Sequence, residues 1–208
     1  MFAPTIFVSI LPLVFYAHSI ETKDEKCYEE MSIDYSIHYD EPMIGWEMGE
    51  EIVFQSSSIP FVNPEGGYHS LDSEAAKNFL DLVSAAHRDG FKIGVNSAYR
   101  TNSEQIEIKR KKKHWAADAG WSNHQRGLAV DLAGTNAFVP ENKINPKHFS
   151  KRCQAKKIAG VQGYKCPTRL FWWLKRNAAQ YGFYNTVRKE TWHWVYLGFK
   201  PTKRLVKK

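Results

Sequence analysis

The sequence predicts an α+β domain with a mainly antiparallel central sheet flanked by helices, and hydrophobic patterning carries that prediction. Apolar residues recur at helical spacing in 71–90 and in 167–182. Apolar residues alternate in 91–95 and 127–133, and 190–199 is rich in aromatic residues, so these three segments are predicted strands. Because strands and helices alternate irregularly, an antiparallel sheet is favoured over repeated strand–helix units.

The amino-terminal 59 residues divide into two segments ahead of the domain expected at 60–208. Residues 1–19 are nearly all apolar and end near the small residues Ala17 and Ser19, which indicates an export signal cleaved after Ser19. The alternative is a buried amino-terminal helix. The apolar run falls short of the about 20 residues that a membrane span needs, so no stable span is expected. Residues 20–59 are expected to form an irregular extension.

Two helices are predicted before the middle of the domain. In 71–90, Asp72 or Ser73 can cap the amino terminus, and the apolar positions define one buried face. Residues 102–118 predict a second, strongly basic helix, whose run of five cations is read as a solvated face. An alternative role for this run is attraction to an anionic polymer.

A third helix is predicted at 167–182, after a long insertion. Pro167 suits its first turn and Gly182 its end. The preceding segment, 135–166, is expected to be loop-rich, and it lies between two of the candidate site motifs described below.

The cysteines fit an oxidising compartment. Cys153 and Cys166 bracket a short Lys/Gly-rich loop and are expected to pair. Such a disulfide contributes about 3 kcal/mol in the chain-entropy model. Cys27 is left over, either free or paired with another chain.

The chain has a formal net charge of +7 and an isoelectric point near 9.2. This balance implies an acidic partner or surface. For an exported protein, an anionic wall or envelope polymer is expected as that partner. Nucleic acid is not expected, because no recognised nucleic-acid module accompanies the basic run.

Candidate metal ligands occur in two short motifs. In "SNHQRGLAVDLAG", the small residues Gly127 and Ala129 lie between His124 and Asp131 and allow the backbone to approach a shared centre. Catalytic zinc sites use three protein ligands and an open position. In "ETWHWVY", His193 supplies a third ligand, and Glu190 stands three residues earlier. A carboxylate there can take a proton from an attacking water and return it to a leaving amine.

These motifs resemble those of a known family. "SNHQRGLAVDLAG" resembles its Ser-x-His-x-x-Gly-x-Ala-x-Asp motif, "ETWHWVY" its Glu-x-Trp-His-x-x-Tyr motif, and "SAYRTNSEQ" its Ser-x-Tyr-Arg stretch with a Gln five residues after the Arg. The family is that of VanY-type zinc D-alanyl-D-alanine carboxypeptidases, related to D-Ala-D-Ala dipeptidases and to the Hedgehog signalling domain. The resemblance covers roughly residues 60–197 and implies their shared fold.

Carried over by position, the resemblance implies roles for individual residues. It implies one Zn²⁺ ion held by His124, Asp131 and His193. Glu190 would act as general base and acid, and Arg100 would hold a substrate carboxylate or steady the oxyanion. Gln105 and Ser122 are candidate substrate contacts.

The resemblance implies an exported enzyme, periplasmic or secreted, that hydrolyses peptide bonds in peptidoglycan stem peptides. The expected activity is removal of the terminal D-Ala by a D,D-carboxypeptidase. The alternatives are an L,D-carboxypeptidase or an endopeptidase of the same fold, or a metal-bearing binding module without turnover. Glu190 argues against the last alternative, because a purely structural metal site does not need a free carboxylate.

Overall fold

A computed structural model describes residues 38–62, 66–145 and 150–198. The predicted export signal at 1–19 and Cys27 lie outside these residues. The elements, in chain order, are β1 (His38–Glu47), β2 (Glu50–Val62), β3 (Tyr68–Asp72), α1 (Ser73–Arg88), β4 (Gly94–Ser97), α2 (Asn102–Lys112), β5 (Ala129–Ala133), β6 (Asn136–Pro140), β7 (Gln154–Ile158), β8 (Val161–Pro167), α3 (Arg169–Asn177), β9 (Phe183–Tyr184) and β10 (His193–Tyr196). Within the described ranges, every helix is too short or too polar to span a bilayer.

The central sheet has the strand order β4-β5-β10-β9, and its neighbouring strands are antiparallel. Two smaller antiparallel sheets, β1-β2-β3 and β6-β8-β7, accompany it. The α+β prediction with mainly antiparallel strands is therefore confirmed. The register pairs His193 of β10 with Asp131 of β5, which places two predicted site residues side by side.

Helices α1 and α3 enclose the core. Fully buried side chains of both helices pack with those of the central strands: Phe79, Leu82, Val130, Leu132, Phe171, Leu174 and Trp194. Burying each large apolar side chain contributes about 1.5–3 kcal/mol, so this core dominates the stability of the fold.

Side-chain caps fix where the helices begin. The predicted cap Asp72 accepts hydrogen bonds from the backbone N–H groups of Glu74 (3.1 Å) and Ala75 (3.2 Å). The expected place of Pro167 in the first turn of α3 is wrong. Pro167 ends strand β8, and Thr168 caps the helix instead, because its hydroxyl can accept the N–H of Phe171.

The described part of the predicted irregular extension is a hairpin, β1-β2, that joins β3. The expectation of irregular structure is wrong here. These strands lack the alternation of apolar residues by which a strand is recognised in a sequence. Strand β2 buries the polar residues Ser56 and Ser57 beside Ile59, while Ile44 of β1 and Val53 of β2 are exposed.

The insertion is also more regular than expected, since its described residues form the three-stranded sheet β6-β8-β7. Strand β7 is polar and largely exposed, so its sequence gives no strand signal. The predicted disulfide between Cys153 and Cys166 is present. It joins Cys153, the residue before β7, to Cys166 in β8. We call the sheet β6-β8-β7 the insertion sheet.

Candidate functional site

Two histidines and one aspartate converge at the open face of the central sheet. The Nδ1 atom of His193 lies 3.0 Å from Oδ1 of Asp131, and Nε2 of His124 lies 3.4 Å from the same oxygen. The two imidazole nitrogens are 3.3 Å apart. The three candidate ligand atoms all lie within 4.8 Å of one another, which is close enough to share a metal ion. The structure thus brings the predicted ligand set together.

His124 is oriented by the backbone that directly follows strand β4. Its Nδ1 lies 2.6 Å from the carbonyl oxygen of Ala98. Because a carbonyl only accepts, Nδ1 carries the proton, and Nε2 keeps a lone pair that can bind a metal ion. The imidazole is 3% exposed, and burial lowers its pKa, which favours the neutral form that binds metals.

The spacing of the "SNHQRG" motif is explained by one tight turn. The hydroxyl of Ser122 accepts the N–H of His124 at 3.4 Å at the start of a 3₁₀ helix, Asn123–Arg126. Gly127 then takes a left-handed conformation (φ +67°), and its N–H bonds the carbonyl oxygen of His124 at 3.2 Å. Ser122 therefore helps to place His124. A direct contact between Ser122 and a substrate stays a prediction.

Asp131 is held in its ionised form. Burial opposes its ionisation, but the adjacent imidazoles of His124 and His193 outweigh burial and hold the pKa of this carboxyl below its usual range. A guanidinium nitrogen of Arg100 lies 3.7 Å from its other oxygen. The site therefore presents one carboxylate oxygen and two imidazole nitrogens, a donor set that suits Zn²⁺.

Arg100 is fixed beside the cluster by side chains of β4 and α2. Its Nη1 donates to Oε1 of Gln105 at 2.8 Å, and its Nη2 donates to the hydroxyl of Ser97 at 3.2 Å. Gln105 is 1% exposed and also donates to the carbonyl oxygen of Ala117 at 2.8 Å. Gln105 thus buttresses Arg100, and its contact with a substrate stays a prediction.

Glu190 lies in the same cleft as the cluster. Its backbone is fixed, since its carbonyl oxygen accepts from the side chain of Asn185 (2.7 Å) and the N–H of His193 (3.2 Å). Among the described residues, its carboxylate forms neither a hydrogen bond nor an ion pair. Burial raises the pKa of Glu190. This carboxylate is therefore free to exchange a proton.

The cleft has a volume of about 1060 Å³ and contains every predicted site residue. Sequence reasoning missed two groups in and around it. The first comprises Ser97, whose hydroxyl holds Arg100, and Ala98, whose carbonyl oxygen holds His124. Both lie at the start of the "SAYRTNSEQ" motif, which could have pointed to them. The second comprises cleft residues outside any motif, including the exposed Trp115 and Trp121.

A sequence model of the VanY family, described as D-alanyl-D-alanine carboxypeptidase, matches residues 68–199, more than half of the 208 residues. The chain belongs to this family. It is 24% identical over 163 residues to a D-alanyl-D-alanine carboxypeptidase of Enterococcus faecalis (strain ATCC 700802 / V583), covering 65% of this chain and 51% of that protein. The chain spans about half the length of the curated relatives it matches.

Solved structures of similar proteins include two peptidases. One is a variant of the vancomycin-resistance D,D-pentapeptidase VanY in complex with Zn(II), with 24% identity, a TM-score of 0.44, and coverage of 67% of this chain and 87% of that one. The other is the LdcB LD-carboxypeptidase, with 27% identity, a TM-score of 0.42, and coverage of 63% of this chain and 61% of that one.

Proposed function

We propose that this protein is an exported zinc D,D-carboxypeptidase that removes the terminal D-alanine from peptidoglycan stem peptides. One observation carries the proposal: in a chain of this family, three side chains that could hold a metal ion converge within one cleft that also contains a free carboxylate. Peptidoglycan lies outside the cell membrane, so the proposal includes export to the periplasm or the medium.

His124, Asp131 and His193 would hold the ion, and their two nitrogens and one oxygen fit Zn²⁺. Bound there, zinc would supply a Lewis acid that polarises the peptide carbonyl. Glu190 and Arg100 line the same cleft as these three residues, so a peptide that enters the cleft would reach the ion and both side chains together.

Glu190 is the proposed proton carrier. Its carboxylate takes a proton from the water that attacks the carbonyl carbon, and it gives that proton to the amino group of D-alanine as the C–N bond breaks. The raised pKa of Glu190 suits both halves of this cycle, because a base works best when its pKa approaches the working pH.

Arg100 is the proposed anchor of the substrate's terminal carboxylate. A planar guanidinium binds carboxylates with two parallel hydrogen bonds. Gln105 and Ser97 hold the guanidinium in place, so little side-chain freedom is lost when the substrate binds. This anchor would favour cleavage at the last peptide bond over cleavage within a longer chain.

The test compares the wild type with Glu190→Ala on a synthetic pentapeptide ending in D-Ala-D-Ala. We expect the variant to keep one zinc ion per chain and to lose at least about a hundredfold in kcat, because general-base catalysis contributes about 10²–10⁴. Glu141→Ala, which removes an exposed carboxylate outside the cleft, is the matched control and should keep full activity. Turnover by the Glu190 variant at the wild-type rate would contradict the proposal.

A further inference from the structure

Basic side chains surround the proposed site. Besides Arg100, five cations line the cleft: Lys111, Lys112, Lys156, Arg188 and Lys189. Among the described residues, the carboxylates lining it are those of Asp131 and Glu190, and both already have proposed roles. The cleft therefore holds a surplus of positive charge that the site chemistry does not use.

Most of this charge is uncompensated by the protein. Lys111 pairs with Glu107 at 3.1 Å. In the part of the chain that the structure describes, four of the cations form no ion pair: Lys112, Lys156, Arg188 and Lys189. Cations at a helix end also stabilise the helix dipole, which is one role of the lysines of α2 and does not neutralise their charge toward the cleft. It does not account for Lys156 on β7 or for the pair in the loop before Glu190.

An exposed aromatic surface adjoins these cations. Trp115 is 74% exposed and Trp121 is 62% exposed, and both line the cleft. The ammonium of Lys189 lies 5.9 Å from the centre of the Trp115 ring. Large apolar side chains of this exposure, next to unpaired cations, provide packing for a chain and charge for its acidic groups.

We propose that the cleft binds an acidic peptide, one that carries a carboxylate upstream of the bond to be cleaved in addition to its terminal carboxylate. The upstream carboxylate would be attracted by Lys112 and Lys189, while Arg100 takes the terminal one. This inference rests on the proposed function and narrows its substrate class. Fixed charges of one sign around a cleft concentrate ligands of the opposite sign and select against neutral ones.

The test uses two pentapeptides ending in D-Ala-D-Ala that differ only in Glu or Gln at the second position. Their dissociation constants are measured by calorimetry on the metal-free full chain, and kcat/KM on the zinc-loaded chain, both at low ionic strength. We expect the Glu peptide to bind about tenfold more tightly, with a preference that shrinks as salt is added. Lys112→Gln with Lys189→Gln should remove most of this preference.

The matched control is Lys77→Gln with Lys92→Gln, which makes the same change in net charge at exposed positions outside the cleft lining. This control should keep the preference. Equal binding of the two peptides to the wild type would overturn the inference, even if both are hydrolysed. Selective binding without hydrolysis would support the acidic subsite and contradict the proposed activity.

A second observation, independent of charge, is that side chains of the insertion form hydrogen bonds with the loop that carries Glu190. Three side chains of the insertion donate hydrogen bonds to residues on both sides of Glu190: Arg152 to the carbonyl oxygen of Arg188 (2.7 Å), Gln154 to the carbonyl oxygen of Lys189, and Asn136 to the hydroxyl of Thr191 (3.1 Å). The insertion is therefore in contact with the proposed catalytic apparatus.

Arg152 and Gln154 are themselves held in place by the rest of the structure. Cys153, between Arg152 and Gln154, is bonded to Cys166 of β8. The guanidinium of Arg152 also lies over the ring of Phe171 of α3, 5.3 Å from its centre, and that ring is fully buried. The loop before Glu190 is thus tied to the core through the insertion.

From these contacts we infer that Arg152 and Gln154 are positioning residues for Glu190. They contact its loop through two backbone carbonyls, and their inferred effect on the reaction passes through that loop. Displacement of a proton carrier by about 1 Å costs up to about a hundredfold in rate, so holding this loop has a measurable effect. This inference also rests on the proposed function.

The test is the double variant Arg152→Ala with Gln154→Ala. We expect kcat to fall about tenfold or more, KM to change less than about twofold, and hydrogen–deuterium exchange of 186–191 to rise. Arg152→Lys with native Gln154 should restore part of kcat. Lys157→Ala, an exposed neighbour on β7, is the control and should change neither quantity. Unchanged exchange of 186–191 in the double variant would overturn the inference, whatever the activity.

Discussion

Gly127 forms the turn that brings the side chains of His124 and Asp131 together in the candidate metal site. It lies between them at φ +67°, and its carbonyl oxygen accepts the N–H of Asp72 at 2.9 Å. A Cβ atom at this position would stand 2.6 Å from the backbone nitrogen of Asp72 and 2.7 Å from the ring of Phe54. The position therefore requires glycine for both its conformation and its space.

We expect Gly127→Ala to lower the free energy of unfolding by about 2 kcal/mol or more and to weaken zinc binding, because the turn must shift away from its neighbours. Gly90→Ala is the matched control, since Gly90 also has a positive φ but has nothing within 4 Å of the added carbon. It should cost about 1 kcal/mol and leave zinc affinity unchanged. Denaturant unfolding and a competition assay with a chromophoric chelator measure both effects. Equal effects of the two substitutions would contradict this account of the turn.

The sequence predicts those parts of the candidate site in which the chemistry depends on the identity of a side chain. His124, Asp131 and His193 can be predicted as candidate metal ligands, because imidazoles and carboxylates at these spacings have few structural uses in combination. The carbonyl of Ala98, which fixes the tautomer of His124, could not be predicted, since every residue has a carbonyl. Likewise, only the fold shows that Gln105 stands behind Arg100.

Helix α1 and strand β10 are joined by a buried tyrosine. Tyr196 is 5% exposed, donates to a carboxylate oxygen of Glu74 at 2.7 Å and accepts from Asn78 at 3.1 Å. Burial and the bond to Glu74 raise the pKa of Tyr196 to about 12. Strand β10 begins with His193, so this contact supports an element of the proposed site.

We expect Tyr196→Phe to lower the free energy of unfolding by about 1 kcal/mol at neutral pH, the net value of a typical hydrogen bond. Because the folded-state pKa exceeds the unfolded value of about 10, this stabilisation is complete below pH 10 and is lost as pH rises toward 12. The difference between wild type and variant in urea unfolding should therefore shrink across that range. Tyr181→Phe is the control, and a difference that grows with pH would contradict the assignment.

The sequence predicts those helices and strands that bury one face and expose the other, because such burial leaves a periodic pattern of apolar residues. Helix α1 shows this best, because eight of its residues are buried and form one apolar face. Strand β5 alternates for the same reason. Strand β2 buries serines, and β7 is exposed, so neither has an apolar alternation from which a strand could be recognised. Their strands are specified by pairing with neighbours, which depends on the tertiary fold.

At the scale of the whole molecule, the three candidate ligands come from a 3₁₀ helix and from two neighbouring strands of the central sheet, and His193 lies 62 residues after Asp131 in the chain. A metal that binds the folded chain and not the unfolded chain stabilises the folded state by mass action. At free zinc about a thousandfold above Kd, this contributes about 4 kcal/mol. If the proposed site binds zinc, the folded state gains stability from the same ion that the proposed activity needs.

We expect removal of zinc by a chelator to lower Tm by about 10 °C, given about 2–4 °C per kcal/mol for a domain of this size. Zinc added back should restore Tm, as followed by differential scanning calorimetry. His193→Ala is the comparison variant, and its Tm should not respond to zinc. A wild-type Tm that is the same with zinc and with chelator would contradict the proposed metal site.

The central claim is tested most directly by mass spectrometry of purified muropeptides with pentapeptide stems, after incubation with the zinc-loaded protein. The account predicts loss of a single alanine from pentapeptides, with Glu190→Ala leaving them intact. Conversion of cross-linked dimers to monomers, or a cut elsewhere in the stem, would contradict the carboxypeptidase specificity. Stems that are bound but never cleaved would contradict catalysis altogether and would identify a binding module.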